Sequence, residues 1–142
     1  MARSNRQLTQ FAVSKIRAFL HGGAERFFPE TQGNTGVIVD SGNIVKVTLF
    51  GQPILCLRQD AIVVHAGGFY DTLGRPSRTT RERLNGLLDA LGDERIIPEG
   101  IRAFIDKETQ SCFVGRGGIG RELGSACEKA IIAADPFELS FL

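Results

Sequence analysis

The chain has 142 residues, enough for one domain with an ordinary core, and its 42% hydrophobic and 23% charged residues are a normal globular balance. A net charge of +1, evenly spread, argues against an acidic nucleic-acid mimic and gives no support to a strongly basic nucleic-acid binder. Cys56, Cys112 and Cys127 are widely spaced, and only His21 and His65 could join them as ligands, so free thiols and no metal or cofactor are expected.

The first helix is expected from roughly Asn5 to Leu20. Leu8, Phe11, Ala12, Ile16, Phe19 and Leu20 line one face, and Gly22-Gly23 stops it. A connecting segment with Phe27, Phe28 and Pro29 follows, pinned to the core by the phenylalanines, and Gln32-Gly33-Asn34-Thr35-Gly36 reads as turns. From Gly36 to Ala66 the period becomes two. Residues 36–40 and 43–50 flank Ser41-Gly42, and 54–58 and 61–66 flank Gln59-Asp60, giving a four-stranded antiparallel meander. In that register Leu55, Leu57, Ile62 and Val64 share one face, and Cys56, Val63 and His65 the other.

Gly67-Gly68 ends the meander and residues 69–76 form a loop. A helix over residues 80–91 follows, with Thr79 and Glu82 as a capping box, Leu84, Leu87, Leu88 and Leu91 on its apolar face, and Gly92 as its stop. Residues 100–105 and 110–115 form a third hairpin around Asp106-Lys107-Glu108-Thr109. Residues 117–120 are a flexible break, 122–134 a helix, and 137–142 an edge strand. The whole is expected to be one domain over 1–142, with a helix in 1–22, meander and capped helix in 36–92, and hairpin, helix and edge strand in 100–142. The class is α+β: an antiparallel sheet of about five to seven strands with two to three packed helices.

Gly115-Arg116-Gly117-Gly118-Ile119-Gly120 matches the G-x-G-x-x-G string, but the chain that follows is too short for the parallel units of a dinucleotide site. Cys56 and His65 could meet diagonally across a hairpin, yet no third orienting residue is evident, and no other catalytic motif stands out. The protein is therefore expected not to be an enzyme. Arg75, Arg78, Arg81 and Arg83 gather around a helix N-terminus, where the macrodipole already disfavours cations. They are either a solvated basic face or, with Thr80 and the backbone N–H groups, a site for an anion or acidic partner, and Arg116 in its glycine loop is a further candidate contact to phosphate or a partner. Arg78, Arg81 and Arg83 are read as lying off the leucine face. Tyr70, the one tyrosine, is either an anchor beside them or incidental. No apolar run has the length of a membrane span, and Arg3, Arg6, Lys15 and Arg17 interrupt the start of the chain, so a cytoplasmic protein without a membrane partner is expected.

The segment Val47-Thr48-Leu49-Phe50-Gly51-Gln52-Pro53-Ile54, then a second strand pair, Gly67-Gly68 and Thr79-Thr80-Arg81-Glu82-Arg83-Leu84-Asn85, resembles a family of small, mostly uncharacterised phage proteins. The resemblance covers Val47 to Leu91, with residues 71–77 as an insertion. It implies a phage or mobile-element origin and residence in the bacterial cytoplasm. By analogy with small proteins of that origin, it implies a non-enzymatic binder of a host protein or nucleoprotein complex, such as an anti-CRISPR-like inhibitor of a defence complex. A small nucleic-acid-binding regulator or accessory of phage DNA metabolism is the alternative. The first helix either caps its own sheet in a monomer or pairs with a second copy in a homodimer.

Overall fold

The structure, a computed structural model, describes residues 3–22, 30–40 and 44–142. Among these, α1 (Asn5–Gly22) precedes β1 (Glu30–Gln32), β2 (Thr35–Asp40), β3 (Ile44–Leu49), β4 (Gln52–Leu57) and β5 (Ala61–His65). Then come α2 (Arg78–Asp93), β6 (Arg102–Ile105), β7 (Cys112–Arg116), β8 (Ile119–Glu122) and β9 (Lys129–Ala133). The fold is α+β. Its strands form a six-stranded sheet in the order β1-β2-β3-β4-β5-β9 and a three-stranded sheet β6-β7-β8. Neighbours are antiparallel throughout.

The meander β2 to β5 follows from the period-two pattern, and Leu55 lies opposite Val64, Cys56 opposite Val63 and Leu57 opposite Ile62. Val37, Val45, Val47, Leu55, Leu57, Ile62, Val64, Ala130 and Ile132 are buried on one face. They share one core with Ala12 and Ile16 of α1 and Leu84, Leu87, Leu88 and Leu91 of α2. Each fully buried aliphatic side chain contributes about 2 kcal/mol, so this layer of sheet under two helices dominates stability. Pairing slips between Val47 and Thr48, because Val47 faces Leu55 while Thr48 faces Pro53. Ile54 is thus the extra residue of a bulge, which buries both Ile54 and Leu55 and gives Pro53 a place in a strand. The expected Ser41-Gly42 turn, and Phe27, Phe28 and Pro29, lie outside the described residues.

Several boundaries differ from the sequence reading. The residues 32–36 read as turns include a hairpin, with Gln32 opposite Thr35. The cap of α2 is Ser77, whose Oγ accepts from the Thr80 backbone N–H at 3.2 Å and meets Thr80 Oγ1 at 2.8 Å. Thr79 and Glu82 therefore form no capping box. A reciprocal box sits instead at α1, where Ser4 Oγ accepts from Gln7 N–H and Gln7 Oε1 accepts from Ser4 N–H. The helix expected over 122–134 is the end of β8, a turn and β9. Leu123, Cys127, Ala130, Ile131 and Ala134 recur at a helix-compatible spacing, but buried Ala130 and Ile132 also alternate with Lys129, Ile131 and Ala133, and the open edge of β5 takes them as a strand. The break at 117–120 is a two-residue hairpin turn: Gly117 and Gly118 have φ of 57° and 86° between paired Arg116 and Ile119. After residue 137 the expected edge strand is a single bridge of Phe141 to Ile132, flanked by the bonds Ala133 N–H to Ser140 O and Leu142 N–H to Ile131 O.

Helix α2 joins the two sheets. Gly86 lets α1 come close, since a Cβ there would collide with Thr9 Cγ2. On its other side Asn85 imitates a strand partner: Nδ2 donates to Ala103 O at 3.0 Å and Oδ1 accepts from Ala103 N–H at 2.7 Å. Asn85→Ala leaves both groups of buried Ala103 unpaired and is expected to destabilise the fold by about 2–3 kcal/mol. Urea unfolding of the two proteins checks this, and an effect below about 0.5 kcal/mol would show that the bridge is dispensable.

Candidate functional site

Arg83 does not belong to a surface. It is fully buried, and its guanidinium donates from Nε to Thr9 Oγ1 at 2.9 Å, from Nη1 to Thr35 Oγ1 and from Nη2 to Asn5 Oδ1. Asn5 Nδ2 in turn donates to Glu82. Burial lowers the Arg83 pKa, with Glu82 opposing, but a guanidinium stays charged at neutral pH. The reading of Arg83 as off the apolar face is thus corrected. Thr80, Arg83, Leu84 and Leu87 recur at i, i+3, i+4, i+7, so the stripe itself carried the signal.

The other expected site residues do not converge on one pocket. Thr80 is buried in the cap, where Gly67 packs over its methyl. Arg75 Nε pairs with Asp71 Oδ2 at 2.7 Å and Arg75 Nη1 reaches Gln110 O at 3.3 Å, so this arginine braces its own loop against the strand turn. Its carboxylate partner Asp71 also accepts from the backbone of Leu73 and Arg75. Arg81 Nε donates to Pro76 O at 3.1 Å. Arg78 is exposed and pairs with Glu82 at 2.8 Å. Arg116 lies on the small sheet, donating to Glu99 O at 2.7 Å. The inserted loop is a small ordered hairpin, with Tyr70 bridged to Pro76 and the Gly74 carbonyl accepting from Ser125 N–H.

Cys56 Sγ and His65 Nε2 do meet diagonally, at 3.5 Å. Burial pushes the Cys56 thiol up, against Lys46 and Arg58. Burial, reinforced by Lys129, Arg58 and Lys46, pushes the His65 imidazole down. Both shifts favour the neutral thiol and neutral imidazole over a thiolate–imidazolium pair. Among the described residues no group of three or more His, Cys, Asp or Glu side chains is placed to hold a metal ion. Among the same residues, no helix is long and apolar enough to cross a membrane.

What the structure does assemble is an exposed aromatic end. Phe50-Gly51 is the two-residue turn between β3 and β4, with Leu49 paired to Gln52. Both turn residues have positive φ, 50° and 79°. That conformation suits Asn-Gly, and a bulky aromatic at its first position is strained by about 1 kcal/mol. Phe50 is nevertheless 61% exposed. Its ring meets exposed Phe69 edge to face, with centroids 5.1 Å apart. Next to Phe69, Gly68 lets the Gln52 side chain pack close, since a Cβ there would lie 2.9 Å from Gln52 Cγ. Beside the rings, Gln52, Pro53, His65, Gly68, Tyr70 and Glu128 line a cleft of about 320 Å³. Burial raises the Tyr70 phenol, and Glu128 adds to it. Sequence reading had Tyr70 and missed Phe50, whose only signal was an aromatic in a two-residue strand connection.

Two outcomes follow. Arg83→Ala strands polar groups in the core and is expected to cost about 3–5 kcal/mol in chemical denaturation, while Arg78→Ala stays within about 0.5 kcal/mol. Equal effects would refute the internal role of Arg83. Because the folded His65 pKa lies below the ordinary 6.5, its unfolded state binds the proton first, so stability falls as pH drops below 6.5 toward the folded value. His65→Gln should flatten that slope in pH-dependent unfolding; an unchanged slope would assign it elsewhere.

The family described as Kyanoviridae Gp96 protein has a model that matches residues 14–117, more than half of the chain. No curated protein and no solved structure matches. The matched span contains α2 with Arg83, the Phe50 turn and the Gly67-Gly68 step, and the chain belongs to the Kyanoviridae Gp96 family of phage proteins.

Proposed function

We propose that this phage protein is a non-enzymatic binding protein that engages a host protein or nucleoprotein complex through its aromatic end. Inhibition of a bacterial defence complex is the outcome we assign to that binding, by analogy with other small phage proteins. The observation that carries the reading is Phe50, a large apolar side chain held in water on a strained turn against a second exposed ring. Strain and apolar exposure both work against stability, and a folded chain retains them together where the ring has a partner to meet. Aromatic anchors are the side chains that dominate contact energy in protein interfaces. Tyr70 and the polar cleft beside the rings supply a rim, and Arg78 adds an accessible cation nearby in sequence.

The test separates fold from binding. Phe50→Asn places the preferred residue in the turn, so it is expected to stabilise the protein by about 0.5–1 kcal/mol while removing the anchor. Tagged wild-type protein should capture a stoichiometric partner from phage-host lysate after nuclease treatment, and Phe50→Asn combined with Phe69→Ser should lose it. Capture that survives the double change would place the interface elsewhere. Capture abolished by nuclease, with direct affinity that falls steeply with salt, would move the function to nucleic-acid binding.

A further inference from the structure

The end of the six-stranded sheet opposite Phe50 carries a cleft of about 550 Å³. Phe19 and Leu20 at the end of α1, Leu57 at the end of β4, and Ile96 beyond α2 form apolar walls, and Arg58 and Arg95 stand with them. The volume is that of a site for a small organic group, and the lining sets apolar walls beside the polar side chains of Arg58, Gln59 and Arg95.

Two independent features concern the arginines. The first is charge. Asp93 and Glu94 are engaged by Arg17 and His21, while neither Arg58 nor Arg95 forms an ion pair among the described residues. Asp135, next to the cleft, accepts from the Phe137 and Glu138 backbone. The second is backbone geometry. Helix α2 ends in a Schellman motif, with Ile96 N–H bonded to Leu91 O and Arg95 N–H to Gly92 O. The residue at its left-handed position, normally glycine, is Arg95, with φ of 58°. Ile96, which follows it, turns into the cleft wall. A side chain is kept where glycine would be more stable, and it is an exposed cation at the cleft with no ion pair among the described residues.

We infer that this cleft binds an apolar group carrying a carboxylate, with Arg58 and Arg95 holding the anion and the Phe19, Leu20, Leu57 and Ile96 walls covering the apolar part. The site is separate from the Phe50 surface and does not depend on it. Such a ligand can be a free amphiphile or the apolar C-terminal residue of a polypeptide.

The full chain, isotopically labelled for NMR, is titrated with decanoate, with decanol as its neutral counterpart, and with N-acetyl-leucyl-phenylalanine as the free acid and as the amide. At least one carboxylate is expected to saturate with Kd of about 1 mM or tighter, shifting residues of the cleft, and its neutral counterpart to bind about tenfold more weakly. Tighter binding of decanoate assigns a free amphiphile, and tighter binding of the peptide acid a chain terminus; either supports the site. Arg95→Gly is expected to raise the thermal midpoint by about 4 °C yet weaken the carboxylate about tenfold. Arg58→Gln, in an exposed turn, should weaken it similarly without changing the midpoint. Equal binding of acid and neutral probes, shifts confined to other surfaces, or no saturation by either acid at about 1 mM would overturn the assignment.

Discussion

A buried guanidinium without a carboxylate against it is the constraint on which the rest of this structure depends. Taking Arg83 out of water costs several kcal/mol unless its N–H groups are met. They are met by Asn5 and Thr9 of α1 and Thr35 of β2, with Glu82 reached through Asn5. Three elements distant in sequence must therefore arrive in one arrangement before the charge is satisfied. A sliding of α1 along α2, or of β2 along β3, would leave it unpaired. The apolar layer supplies most of the stability and accepts many similar packings; the polar cluster discriminates among them.

The motif Thr80-Arg81-Glu82-Arg83-Leu84-Asn85 takes its meaning from that constraint. Thr80 closes the cap, Arg83 ties the helix to α1 and β2, Leu84 enters the core, and Asn85 binds the second sheet. Its two arginines, with Arg78 just before them, look like a basic patch when written in a row. In space one is internal, one pairs with Glu82, and one reaches a backbone carbonyl. The pattern ties α2 to α1, to β2 and to the second sheet.

Those ends are where local preference is violated. Phe50 and Arg95 both occupy left-handed positions that Asn or glycine would fill at lower cost, one at each end of the sheet. Phe50 presents a ring to solvent, and Arg95 presents a charge at an apolar cleft. A third left-handed residue, Gln110 with φ of 61°, sits in the turn between β6 and β7, where its carbonyl accepts from Arg75.

The sequence by itself determined the α+β class, both helices, the meander with its register, the third hairpin and the diagonal approach of Cys56 to His65. These are set by short-range periodicity and turn chemistry, which act within a few residues. Tertiary structure decided that Ala130-Ile131-Ile132 is a strand, because the open edge of β5 is a partner that local spacing does not see. It decided that Arg83 is internal, because only its distant acceptors make burial of a charge tolerable. It likewise decided that Arg75 and Arg116 stand apart from Tyr70's cleft, and that Arg58 and Arg95 meet at one, since neighbours across a fold are chosen by packing rather than by order along the chain.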